Sequence, residues 1–153
     1  MLRDEAIELR PIGVIRTSVA DADVARRRRD MVSTIELFAD FAPGLLGIEA
    51  YSHLIILFAL HRAAPPPSMT AHPRGDSSQP VQGVFAARGR NHPNSIGLAV
   101  VELLAVDGAT LRVRKLDAYD GTPLLDIKPY DSYDVVDAPR VPAWWRRRAL
   151  TPR

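Results

Sequence analysis

Residues 98–116 read LAVVELLAV, then Asp107-Gly108, then ATLRVRKL, and leave this stretch of chain little alternative to a β-hairpin. Asp-Gly between two strand-like runs supplies the positive φ angles of a type I′ turn. In the second arm Leu111 and Val113 alternate with Arg112 and Arg114, so one face is dry and the other wet. Thirteen prolines and nine glycines punctuate the remaining sequence, which disfavours long helices and suits many short strands.

Further strands follow from the same logic. Residues 8–17 read as a first strand broken at Pro11, and residues 33–38 alternate Thr34, Glu36 and Phe38 against Ile35 and Leu37. Residues 50–60 read as a buried central strand, apolar on both faces, and residues 81–88 as another. Residues 63–79, with AAPPPS and HPRGDSSQ, form a polar, Pro-rich loop of the composition found in mobile connections. Several antiparallel strands, short turns and no long amphipathic helix point to an all-β fold, a small barrel or sandwich. The expected division is a β domain over residues 1–136 and a Pro-, Trp- and Arg-rich tail over residues 137–153.

Composition removes several classes of function. The chain has no cysteine, so neither disulfides nor thiolate metal sites are available, and the cytoplasm is the natural compartment. Its longest apolar run, Leu54 to Leu60, falls far short of the roughly 20 residues of a spanning helix. No charged segment followed by an apolar one opens the chain, so no membrane partner is expected. Net charge is only +2, yet arginines cluster at residues 26–29 and 146–148, and of twenty basic residues only Lys115 and Lys128 are lysines. Arginine forks clamp phosphates and their planes stack on bases, which suits a folded RNA; a solvated surface run is the competing reading. Trp144 and Trp145 beside Arg146 offer base stacking or packing of the tail onto a partner subunit, and large rings favour packing for at least one of them.

Packing does not explain residues 83–130. GVFAARGRNHPNSIG and LDAYDGTPLLDIKPY crowd Arg88, Arg90, His92, Asn94, Asp120, Asp126 and Lys128 around prolines and glycines. Ordered turns with convergent polar groups are where binding and catalysis concentrate. These segments, with PIGVIRTS at residues 11–18 and GLLGIEAYSHLIILFALHR at residues 44–62, resemble a known family in four blocks in the expected order. It is the family of S-adenosylmethionine-dependent tRNA methyltransferases that methylate N6 of threonylcarbamoyladenosine at position 37, next to the anticodon. The strongest blocks are RxxxxPNxIG, residues 88–97, and DGTPxxDIKPY, residues 120–130.

The resemblance implies a non-Rossmann β-barrel, a homodimer with S-adenosyl-L-methionine held near the subunit interface, and the tRNA anticodon loop as partner. Consistently, the chain has no Gly-rich turn of the dinucleotide-binding kind. Carried over residue by residue, the family's cofactor contacts fall on Arg27, His61, Arg62, Arg88, Leu98, Asp120, Gly121, Thr122 and Pro123. Leu98 would cover the adenine, His61 or Arg88 would approach the methionine carboxylate, and backbone groups of the Asp120 turn would bind adenine or the amino group.

Two departures stand out. Arg26-Arg27-Arg28 replaces the family's Pro-Arg-Gln, and His92 and Ser95 replace an arginine and a proline of RPNPIG, which bears on the identity of the RNA.

The acceptor, an exocyclic adenine nitrogen, has a delocalised lone pair; an oxygen that accepts its N–H raises its reactivity. Asn94 and Asp126 are the candidates for that role, and Lys128 for a phosphate or threonyl carboxylate. An exposed cross-strand or interface ion pair between Asp126 and Lys128 is the competing structural reading. Two other functions stay open: the same fold and cofactor with a different acceptor, and a binding module that holds cofactor or RNA without turnover.

Overall fold

In the computed structural model, which describes residues 6–149, six antiparallel strands close into a barrel. They are β1 (Gly13–Arg16), β2 (Val32–Leu37), β3 (His53–Ala59), β6 (Ile96–Asp107), β7 (Thr110–Arg114) and β8 (Thr122–Pro129), in the order β1-β2-β7-β6-β3-β8. The intervening β4 (Thr70–Ala71) and β5 (Gln82–Gly83) form a separate two-stranded ribbon. Two seven-residue helices, α1 (Asp21–Arg27) and α2 (Ala143–Ala149), complete the regular elements. The all-β barrel expected of the chain is therefore the fold it has. Contacts cluster into two compact units: the barrel, Met1–His61 with Gly97–Tyr130, and a second unit, Arg62–Ile96 with Asp131–Arg153.

The barrel is filled by alternate residues of its strands. Ile15, Ile35, Leu54, Ile56, Val101 and Leu124 are fully buried, and Leu111 and Val113 join them from β7 as their alternation requires. Closure leaves no unpaired barrel edge, which is how a sheet of short strands avoids pairing with other chains.

The structure revises several local expectations. Pro11 lies outside the first strand, which starts only at Gly13; a Cβ at residue 13 would strike the carbonyl oxygen of Glu36 on the paired strand. β3 is not buried on both faces: Leu54, Ile56 and Phe58 point inward, whereas Ile55, Leu57 and Ala59 stay half-buried on the outside. It also begins later than residue 50, because residues 48–50 form a 3₁₀ turn. The strand expected at residues 81–88 shrinks to β5, followed by a 3₁₀ turn at Val84–Ala86.

The hairpin forms, with a different loop. Asp107 pairs with Thr110, so the two loop residues are Gly108 and Ala109. Only Gly108 has positive φ, +57°, and glycine first is the arrangement of a type II′ turn. The second arm stops at Arg114, because Lys115 turns left-handed at φ +73°.

The helix α1 was not expected from the strand patterning. It starts with Asp21 and Asp23 and ends with Arg26 and Arg27, charges that complement the helix dipole. The Pro-rich segment carries β4, and its turn is fastened by the His72 Nδ1–H donating to the Gln79 carbonyl at 2.7 Å.

Candidate functional site

The turn that opens β8 joins the loop that follows β1. Gly121 sits at φ +77°, a conformation open to glycine, and its N–H donates to the Ile15 carbonyl at 2.9 Å. The Thr122 N–H donates to Tyr119 at 3.2 Å, and the Thr122 side chain is buried in the barrel. Asp120 then reaches across: its Oδ1 accepts the Thr17 N–H at 3.1 Å, and its Oδ2 lies 3.9 Å from Arg16 Nη1. Arg16 Nε in turn stands 3.5 Å from Glu36 Oε2.

Thr17 Oγ1 accepts the Val19 N–H at 3.2 Å, which bends the chain into α1. At the end of α1, Arg27 lies 3.6 Å from Asp30, and Arg26 lies 2.8 Å from Asp23. The hydrogen bond to Asp23 raises the pKa of the Arg26 guanidinium further above its ordinary value. Two of the segments implicated by the sequence, the loop after the first strand and the Asp-Gly-Thr-Pro turn, are thus one fastened unit. Two consequences follow. The N–H groups of Gly121 and Thr122 are already donated, to the Ile15 and Tyr119 carbonyls, which fixes the turn in place. Arg16, which the sequence reading passed over, is part of the joint.

Leu98 projects from the outer face of β6 and is 48% exposed, with Val100 beside it on the same face. Its neighbour Gly97 has a packing reason: a Cβ there would collide with the ring of Phe58, which fills the barrel beneath it. His61 is exposed just beyond the end of β3.

Farther along β8 a bulge intervenes, Leu57 pairing with Asp126 and Phe58 with Leu124, so Leu125 is the extra residue. After it, Asp126 pairs with Leu57 and Lys128 with Ile55, which places both on the outer side of the sheet. Lys128 Nζ lies 2.9 Å from Asp126 Oδ2, while Oδ1 accepts the Ile127 N–H at 2.9 Å. An exposed ion pair is therefore present, but between two residues of one strand rather than across strands or an interface as expected. Beyond it Tyr130 donates its N–H to the His53 carbonyl at 3.1 Å, and the rings of the two residues are 6.3 Å apart.

A groove of about 370 Å³ runs along the barrel, lined by Phe41, Leu45, Leu46, Tyr51, Asp126 and Ile127 among others. Its wall is apolar with one carboxylate, and Leu46 is almost wholly exposed. The sequence reading missed it, since a 3₁₀ segment at Ala39–Leu45 has no strong periodic signature.

The second unit holds Arg62, Arg88 and Asn94, all exposed. His92 has a local task there: its Nε2–H donates to the Ala87 carbonyl at 2.9 Å, and its ring meets Phe85 edge-on. The histidine that replaces the family's arginine therefore closes its own loop. Trp144 and Trp145 meet edge to face at 5.9 Å as neighbours on α2; the side chains of Arg147 and Arg148 lie outside the described residues. Among the described residues no group of three or more His, Asp or Glu side chains could hold a metal ion.

Comparison with known proteins accords with this geometry. The family of the tRNA-methyltransferase O N-terminal domain matches residues 22–137. A probable S-adenosyl-L-methionine-binding protein of Archaeoglobus fulgidus is 45% identical, over 82% of this chain and 34% of its own. The tRNA (adenine(37)-N6)-methyltransferase of Escherichia coli is 34% identical, over 82% of this chain and 58% of its own. The crystal structure of TrmO from Pseudomonas aeruginosa superposes with a TM-score of 0.74 at 31% identity, covering 94% of this chain and 64% of that one. The chain thus spans about a third to two thirds of the length of these relatives. With most of its length matched, and with the barrel and both motif turns in place, the chain belongs to the tRNA-methyltransferase O N-terminal domain family.

Proposed function

We propose that this protein is an S-adenosyl-L-methionine-dependent methyltransferase that modifies N6 of a t6A-like adenosine in the tRNA anticodon loop, working as a homodimer in the cytoplasm. The observation that carries this reading is the Asp120–Thr17 joint, which fastens together two segments on which the resemblance places the cofactor contacts. The name of the Escherichia coli relative supports the acceptor. The cofactor lies against Asp120, Gly121, Thr122 and Pro123, with Arg27, His61, Arg62, Arg88 and Leu98 supplying its other contacts. Methyl transfer is an in-line displacement at the carbon on a cationic sulfur, so positioning supplies most of the catalysis.

Asn94 accepts the N–H of the acceptor nitrogen in this scheme. Asp126 already has partners on both oxygens, and its part is to orient Lys128 toward a phosphate or carboxylate. The exposed outer face of β6 at Leu98 and Val100 supports a subunit contact there, since contiguous apolar surface on a barrel wall is best covered by another copy.

Radiolabelled methyl transfer to bulk tRNA, followed by nucleoside mass spectrometry, tests the reading. Label in an N6-methylated adenosine derivative is expected; no label in any tRNA despite cofactor binding would favour the second reading, a binding module. The Archaeoglobus fulgidus relative, named for S-adenosyl-L-methionine binding alone, favours that alternative.

A further inference from the structure

Formal charge is unevenly distributed along the sequence. The segments of the second unit, residues 62–96 and 131–153, contain nine arginines and four aspartates, a formal +5. The remaining residues contain eleven basic and fourteen acidic side chains, a formal −3, which together give the chain its net +2. On formal charge, these two segments of the sequence favour a polyanion more than the rest of the chain does.

Within these segments Phe85 and Tyr133 are exposed aromatic rings, and Phe85 has a ring packed against it. Phe85 lies in the 3₁₀ turn Val84–Ala86 and is 75% exposed. His92 meets it edge-on, with ring centroids 5.9 Å apart and planes at 71°. The imidazole is itself pinned, because the Ala87 carbonyl accepts both the His92 Nε2–H at 2.9 Å and the Gly89 N–H at 3.0 Å. Arg88 and Arg90 follow within five residues, both exposed. An aromatic face held still by a hydrogen-bonded neighbour, with cations beside it, is the arrangement that stacks an unpaired base while its backbone is neutralised.

The geometry points to Phe85 as a stacking platform for an unpaired nucleobase of the RNA, with His92 as its positioning residue. This rests on the RNA-substrate reading above and names the unit and the ring that take the RNA. The test titrates labelled anticodon stem-loop RNA and a fully paired RNA duplex against the full chain, in wild type, Phe85→Ala and Phe85→Trp, with S-adenosylmethionine titrated in parallel. Phe85→Ala is expected to weaken stem-loop binding by about 5- to 100-fold, the loss of one base–aromatic stack. Duplex binding, cofactor binding and the dependence of affinity on salt should stay unchanged, because phosphate contacts are untouched. Phe85→Trp should bind the stem-loop as wild type does.

Unchanged stem-loop affinity in Phe85→Ala would overturn the assignment. So would an equal loss for the duplex, or a loss confined to the cofactor, which would give the ring to the cofactor adenine. A wild-type protein that binds no stem-loop RNA would sink this inference together with the reading beneath it, whereas wild-type binding with an indifferent Phe85 sinks only the platform.

Discussion

The Asp120 carboxylate accepts the Thr17 N–H at 3.1 Å across a separation of 103 residues, so the turn that opens β8 and the loop that leaves β1 are held as one piece. Arg16 sits between this carboxylate and Glu36, and Gly121 returns the contact through its N–H to Ile15. Asp120→Ala should lower stability by about 1 kcal/mol, the net value of one hydrogen bond. Asp120→Asn, which keeps the acceptor oxygen, should lower it less. Urea unfolding measures both, and calorimetric titration with S-adenosylmethionine is expected to rank the variants in the same order. Equal cofactor affinity in all three would detach this joint from the site.

Gly97 should tolerate no side chain. Gly97→Ala drives a methyl group into the Phe58 ring, and overpacking of this kind costs about 1 to 3 kcal/mol. Phe58→Leu in the same chain should restore part of the loss, a coupling that a double-mutant cycle reads directly. Additive losses would mean that the ring is not what the glycine accommodates.

The Asp126–Lys128 pair should matter little for folding. Both side chains are about half exposed, and such pairs contribute about 0 to 1 kcal/mol. Asp126→Asn should leave the urea midpoint almost unmoved. Methyl transfer by Asn94→Ala is expected to fall about 100-fold, as for loss of a positioned proton acceptor, and by Asp126→Asn much less. The reverse ranking would exchange their roles.

Asp76 gives a pH signature for the second unit. Its Oδ1 accepts the Ser78 hydroxyl at 2.6 Å and the Ser78 N–H at 3.0 Å, and these bonds to the charged form hold its pKa below the usual carboxylate value. A depressed folded value means that the contribution to stability is complete above the unfolded pKa, about 3.9, and is lost as pH falls through the lower folded value. An NMR titration should find Asp76 below the ordinary carboxylate value, with Ser78→Ala returning it toward that value. An unshifted Asp76 in the wild type would refute the contact.

Much of the barrel was legible because it depends on local alternation. Leu111 and Val113 face inward and Arg112 and Arg114 outward, as period two dictates, and Ile35 and Leu37 follow the same rule. The hairpin loop was misplaced by one residue, since Asp-Gly and Gly-Ala both offer glycine's positive φ and only the register of Asp107 against Thr110 chooses between them. Helix α1 was missed because a seven-residue segment with one buried residue, Val24, shows no periodicity. β3 was read as buried on both faces because Ile55 and Leu57 are as apolar as Ile56; apolar composition does not say whether a strand lies inside a sheet stack or on a barrel wall.

For the candidate site, the sequence by itself determined the two motifs, their order, and a strand-rich chain without a dinucleotide-binding turn, because those depend on residue type and spacing along the chain. Only the tertiary structure decided that Asp120 grips Thr17, that Arg16 belongs to that joint, that Gly97 exists for Phe58, and that His92 closes its own loop under Phe85. The physical reason lies in how such contacts form. Each depends on two segments brought together by barrel closure or by a loop folding back on itself, and a hydrogen bond between residues 17 and 120 leaves no periodic trace in either.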